Sequence, residues 1–381
     1  MRHYLDHNAT SPLRGEVREA FVAALDAPAA NASSIHAEGR FAKALIEAAR
    51  ANVARLVGAA PREVVFTSGG SEAIASAIRG VADRATANKR RIVVSAIEHS
   101  AVLESARALS AHGFEIVEVP CEPTGRIDAG AFAAALDERT ALAALQAANN
   151  ETGVLQPVAE SGAACRAAGV PFLVDAVQAA GKTPIERDGW GADLLVLSAH
   201  KLGGPQGAGA LIVRDGVPMA PLVAGGAQER RRRGGTEAVA ALSAFGAACA
   251  AAGRDLEEEA SRLLALRGRL ESALREIAPG VRIHGESVSR LPNTVNAAFP
   301  GVSGETLLIA LDLAGFAVST GSACASGAVT PSHVIRAMGY GDDEARGAVR
   351  FSLGWDTTDE TVDHLLAALP RLLARATMAG R

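Results

Sequence analysis

Between residues 60 and 215 the chain alternates short apolar runs with alanine-rich, helix-patterned segments, and this alternation constrains the fold more than any other feature. The runs are VVFT (64–67), RIVVSAI (91–97), EIVEVP (115–120), LAALQAA (142–148), PFLVDAV (171–177), DLLVLSA (193–199) and AGALIV (208–213). Amphipathic segments such as Glu72 to Ala87 and Ala101 to Ala111 lie between most of them. Continuous apolar runs fit strands buried on both faces, and strands alternating with helices build an α/β domain around a mainly parallel sheet. The last two runs are separated mostly by glycine, too short for a helical crossover, so one antiparallel strand is expected.

A long helical pattern follows at 254–277, with Leu256, Leu263, Leu266, Leu270 and Leu274 on one face. It is too short for several heptads and reads as a helix linking two domains. Beyond Pro279 short strands (VRIHG, TVNAAF, FAVST, RFSLG) surround two or three helices, the pattern of a smaller α+β domain. A chain of 381 residues is long enough for both.

Charge and composition exclude several classes. A net charge of −4 gives no electrostatic footprint for nucleic acid. The one basic run, Arg230 to Arg233, reads as a solvated or salt-bridged turn. No segment reaches the roughly 18 consecutive apolar residues of a membrane span, and the beginning, MRHYLDHNATS, lacks the apolar core of a signal peptide, so a cytoplasmic location is expected. The four cysteines are widely spaced, without a CxxC pair, and suggest neither a zinc site nor a disulfide framework. The nine histidines include no HExxH, so a catalytic metal has no evident ligand set.

The chemistry gathers where the apolar runs stop. In PFLVDAVQAAG, Asp175 ends a strand and Gln178 follows; in VLSAHKLGGPQGAG, Lys201 stands at the exit of another. Carboxyl ends of parallel strands face the crevice where α/β proteins bind ligands. A buried lysine beside a buried carboxylate is costly unless used, and pyridoxal phosphate needs both: an amine for its covalent attachment and an acid to keep its ring nitrogen protonated. FTSGGSEAIA runs from a strand through Gly69, Gly70 and Ser71 into a helix start, which suits an anion, although a plain capping turn explains that segment equally well. His99 and the Asn149–Asn150 pair also follow strands. Five strand ends thus offer polar groups, at 67–71, 99, 150, 175 and 198–201.

Eleven stretches, in order and over nearly the whole chain, resemble the cysteine desulfurases of the nitrogen-fixation and housekeeping iron–sulfur-assembly group, within the class V aminotransferases. They are YLDHNATSP, NASSIHAEGR, TSGGSEA, EHSAVLE, ANNETGVLQPV, VDAVQAAGK, SAHKLGGPQGAGAL, RRGGTE, LPNTVN, STGSACASG and VRFSLG. The resemblance implies a fold-type-I, pyridoxal-phosphate-dependent transferase. Its large domain, with a seven-stranded, mainly parallel sheet, would span 13–255, and its small α+β domain would combine 1–12 with 256–381.

The resemblance also assigns residues. Lys201 would carry the cofactor. Gly70, Ser71, Ser198 and His200 would hold its phosphate, joined by Thr236 reaching into the neighbouring subunit of a homodimer. His99 would stack on the ring and belong to the catalytic set, Asp175 would face the ring nitrogen, and Gln178 would bond the phenolic oxygen. Asn150 and Arg350 would bind the substrate carboxylate, for which a planar guanidinium is suited. Cys324 would be the nucleophile that takes sulfur from L-cysteine as a persulfide, leaving L-alanine, for delivery to an acceptor protein such as an iron–sulfur scaffold. Selenocysteine lyase or another class-V aminotransferase-like activity is the alternative. Departures from the family pattern, Ala30, Ala32, Ala75, Gln228, Arg231 and Arg232, remove none of these groups.

Overall fold

A computed structural model describes residues 2–28, 30–320 and 331–379. The chain opens with the two-residue strand β1 (His3–Tyr4) and then forms the strands of the main sheet: β2 (Val64–Thr67), β3 (Arg91–Ser95), β4 (Glu115–Val119), β5 (Thr140–Gln146), β6 (Phe172–Asp175), β7 (Leu194–Ser198) and β8 (Gly209–Val213). Their order across the sheet is β2-β8-β7-β6-β5-β3-β4. Every pairing from β7 to β4 is parallel, and β8 runs antiparallel to both neighbours. All seven apolar runs are therefore strands, and the antiparallel one is the run reached through glycines.

Alternation along these strands feeds two cores. Phe66, Val93, Leu145, Val174, Leu197 and Ile212 point to one face, where the helices Ala37–Leu56 and Val239–Arg254 cover them. Val65, Val94, Ala144, Leu173, Val196 and Leu211 point to the other, under the helices Gly70–Ala82 and Ser100–Arg107. Both faces are apolar because both are covered, which is why the strands read as continuous runs.

A second sheet has the order β12-β10-β9, with β9 (Arg282–Ile283), β10 (Thr294–Ala298) and β12 (Ala348–Ser352) antiparallel. The short strand β11 (Phe316–Ala317) pairs parallel with β1. Leu263, Leu266, Leu270 and Leu274 pack in a separate core with Val295, Phe351 and Leu365. The helical pattern at 254–277 is the helix Leu256–Ile277, and it meets the helix Val239–Arg254 at a bend of 70°. Arg14 braces that bend by donating to both Glu259 carboxylate oxygens at 2.7 Å and to Asp255 at 3.4 Å. Among the described residues no single helix is long and apolar enough to cross a membrane.

Candidate active site

A cavity of about 510 Å³ opens at the carboxyl ends of β2, β3, β5, β6 and β7, within the size range of small-molecule sites. Ten residues singled out in the sequence line it: Gly70, Ser71, His99, Asn150, Asp175, Gln178, Ser198, His200, Lys201 and Arg350. Thr236 does not; it is exposed, beyond Arg233. Cys324 lies outside the described residues.

Lys201 ends a single 3-10 turn, Ala199–Lys201, directly after β7. Gly203 follows at φ +75°, a left-handed conformation that favours glycine, and turns the chain back under the lysine. The Lys201 ammonium donates to the carbonyls of Asn8 at 2.5 Å and Ala9 at 2.7 Å. Burial and the nearby Arg350 push its pKa down to about 8, against the pull of Asp6 and Asp175. This amine is therefore much easier to deprotonate than an ordinary lysine.

Asp175 is the last residue of β6, paired across the sheet with Gln146 and Val196. One carboxylate oxygen accepts the Val177 N–H at 2.9 Å. Burial raises its proton affinity, while His99 and Lys201 oppose the rise. His99 caps the helix Ser100–Arg107: its Nδ1 accepts the Ala101 N–H at 3.1 Å, which leaves Nε2 to carry the proton of the neutral ring. Burial holds the His99 pKa below its ordinary value.

Behind it, Glu98 accepts from Ser95 Oγ and, at 2.9 Å, from the Gln146 N–H, tying the ends of β3 and β5 together. Burial pushes this carboxyl up to about 8, so it holds a proton at neutral pH.

At the other end of the cavity the helix Gly70–Ala82 begins with no side-chain cap. Glu72 accepts the Ser68 N–H at 2.8 Å and is itself paired with Arg233 at 2.9 Å, so the basic run contributes a salt bridge here. The first amides of the helix itself remain open to a ligand. Gly209 makes this approach possible, because a Cβ there would lie 2.6 Å from the Gly69 carbonyl carbon. His200 faces Thr10 Oγ1 at 3.1 Å, and burial beside Lys201 pushes its pKa down to about 4, leaving a neutral ring.

The opposite wall comes from the second sheet and the beginning of the chain. Arg350, on β12, donates to Asp6 at 2.7 Å and to the Asn150 carbonyl at 2.9 Å, while its buried Nε has no partner among the described residues. Asn8, Glu151, Ser319 and His333 also line the cavity and carried no assignment from the sequence. The Asn8 amide donates to Thr294 Oγ1 at 2.9 Å, and His333 Nε2 lies 3.0 Å from the Glu98 carbonyl. Asn8, Glu151 and Ser319 lay inside quoted stretches, in YLDHNATSP, ANNETGVLQPV and STGSACASG, and only His333 lay outside them.

These groups fit pyridoxal phosphate on their own chemistry. An easily deprotonated amine suits an aldehyde, a buried carboxylate of raised proton affinity suits a ring nitrogen, and uncapped helix amides with hydroxyls and a neutral imidazole suit a phosphate. Among the described residues no cluster of three or more His, Cys, Asp or Glu could hold a metal.

Comparison with known proteins places the chain in a family. The family model described as Aminotransferase class-V matches residues 3–365. The chain is 44% identical over 374 residues to a protein of Cereibacter sphaeroides named cysteine desulfurase, covering 98% of this chain and 96% of that protein. It is 41% identical over 372 residues to cysteine desulfurase IscS of Dictyoglomus turgidum, covering 98% and 94%. Among solved structures, a NifS-like protein superposes with a TM-score of 0.92 at 35% identity, covering 98% of this chain and 100% of the other. A structure described as SspA in complex with cysteine gives a TM-score of 0.83 at 32% identity, covering 92% and 98%.

Proposed function

The chain belongs to the aminotransferase class-V family and is a pyridoxal-phosphate-dependent cysteine desulfurase; from that premise we propose that the cavity at the strand ends is its active site. The observation that carries this assignment is the convergence of Lys201, Asp175 and the uncapped start of the helix Gly70–Ala82 on one cavity.

Bound there, pyridoxal phosphate supplies the electron sink that makes the Cα–H of an amino acid acidic. Gly70, Ser71, Ser198 and neutral His200 hold the phosphate. Asp175 keeps a proton on the ring nitrogen, His99 stacks on the ring, and Gln178 donates to the phenolic oxygen. Arg350, oriented by Asp6, takes the L-cysteine carboxylate together with Asn150. Lys201, once free as an amine, removes the Cα proton and keeps it within reach for return.

Cys324 is the proposed nucleophile. Its thiolate forms a bond to the substrate sulfur as the substrate C–S bond breaks, the electron pair stays with the carbon skeleton, and protonation of that skeleton gives L-alanine. The enzyme keeps a persulfide, so one difficult step becomes two. The three described cysteines are poor nucleophiles, because burial pushes Cys121 up to about 11, Cys165 up to about 12 and Cys249 higher still.

In this reading residues 13–255 form the large domain, and 1–12 with 256–381 form the small one. The enzyme works as a cytoplasmic homodimer in which exposed Thr236 serves the phosphate of the partner subunit. A sulfur-acceptor protein, an iron–sulfur scaffold or another, takes the persulfide sulfur.

The decisive assay incubates the pyridoxal-phosphate-loaded protein with L-cysteine and dithiothreitol and follows sulfide and alanine together. Equal amounts from the wild type, with sulfide abolished in Cys324→Ala, are expected. Undiminished sulfide from that variant would refute the role of Cys324.

A further inference from the structure

Lys182 has no part in that chemistry, yet its side chain is buried between the cavity and the second core. Both of its described hydrogen bonds go to one residue: Nζ donates to Gln178 Oε1 at 2.9 Å and to the Gln178 carbonyl at 3.2 Å. Lys182 does not line the large cavity. The space beside it, about 30 Å³ between Lys201, Glu259 and Trp355, has room for about one water molecule, so Lys182 acts on a ligand only through a neighbour.

That neighbour is held from both sides. Gln178 Nε2 donates to the Asn8 carbonyl at 2.9 Å, and Lys201 donates to the same carbonyl. A glutamine amide is nearly symmetrical in shape, and only its hydrogen bonds decide which end points where. With Nζ donating to Oε1 and the Asn8 carbonyl able only to accept, the two partners together turn the NH₂ end toward Asn8 and the cavity.

We propose that Lys182 is a positioning residue that locks the Gln178 amide with its NH₂ end toward the ligand, so that Gln178 presents a donor to the oxygen of the bound cofactor. This rests on the reading of the cavity as the pyridoxal phosphate site. The arrangement has a cost that a purely structural residue would not need to bear. Burial, with Lys201 and Arg350 nearby, pushes Lys182 down to about 7.

The test is a double-mutant cycle read in cofactor affinity. Apo protein is titrated with pyridoxal phosphate, the dissociation constant is taken from fluorescence quenching, and thermal unfolding of each apo variant checks folding. Lys182→Met is expected to keep a cooperative unfolding transition and to weaken binding about three- to tenfold. In a Gln178→Leu background the same substitution is expected to add nothing, because no amide remains to be oriented. Lys182→Gln, which keeps a donor, is expected to bind within about twofold of the wild type; if the methionine variant does not fold, Lys182→Ala in both backgrounds carries the test, with the same roughly three- to tenfold loss expected only where Gln178 is present.

Unchanged affinity in Lys182→Met, or effects of Lys182 and Gln178 that simply add, would overturn the inference while the site assignment stands. A wild type that binds no pyridoxal phosphate would overturn the site assignment and the inference with it.

Discussion

The two walls of the cavity are built by different means. On the sheet wall, Asp175 and Ser198 end strands, while His99, Asn150 and Lys201 follow within four residues of one. Their positions are set by the parallel register of the sheet and by the apolar residues packed on both of its faces. On the opposite wall, Asn8, Ser319, His333 and Arg350 come from loops, the start of the short helix His333–Ala337 and β12, and polar bonds tie them to distant parts of the chain. Arg350 is fixed by Asp6, 344 residues away in the chain, and Asn8 by Thr294, 286 residues away. The sheet wall is rigid because a core must move before it can. The opposite wall combines the second core, which anchors Arg350 through Val349 and Phe351, with hydrogen bonds that cross between distant parts of the chain.

Substitutions on the sheet wall should therefore strike the chemistry itself. Lys201→Ala is expected to lower alanine formation from L-cysteine by at least about 10³-fold, measured by single-turnover assay, because no other lysine among the described residues lines the cavity. Asp175→Asn should follow at about 10²–10³-fold in kcat, with cofactor still bound, since only its charge is lost. A loss in Asp175→Asn confined to cofactor affinity would break the assigned role.

On the opposite wall the effect should be on binding. Arg350→Lys keeps the charge but loses the planar pair of donors, so KM for L-cysteine should rise about 10²-fold while kcat stays within about tenfold. Equal falls in kcat from Arg350→Lys and Asp175→Asn would erase the distinction between the walls.

The smallest effect is one of pH. Only the unprotonated Lys201 amine can attack an aldehyde, and its pKa is lowered to about 8. The rate at which apo protein captures pyridoxal phosphate should therefore rise about tenfold from pH 7 to pH 9 and then level off. A rate still climbing above pH 9 would mean an ordinary, exposed lysine.

The same contrast explains what could be read from the sequence. Strand ends are legible because an apolar run that delivers Asp175 or Ser198 at its end, or His99 just beyond it, announces both the strand and the polar group. The anion loop is ambiguous as a sequence; in the structure the helix Gly70–Ala82 has no side-chain cap, while Glu72 accepts the Ser68 N–H. Asp6 and Lys182 lie inside quoted stretches but drew no role, and His333 lies outside them, since each owes its place to a partner far along the chain or to burial on one side of a turn. The helix Val239–Arg254 was hidden for a different reason: it is alanine-rich and largely buried, so it shows little amphipathic spacing. Thr236, exposed and outside the cavity of its own chain, depended on the family resemblance alone.

The central claim is that the sheet wall presents Lys201 as the point of cofactor attachment. Loading the protein with pyridoxal phosphate, reducing it with borohydride and mapping its peptides by mass spectrometry tests this directly. A pyridoxyl increment on the peptide carrying Lys201, absent in Lys201→Ala, is the predicted result. The increment on Lys182 or another lysine, or on none, would contradict it.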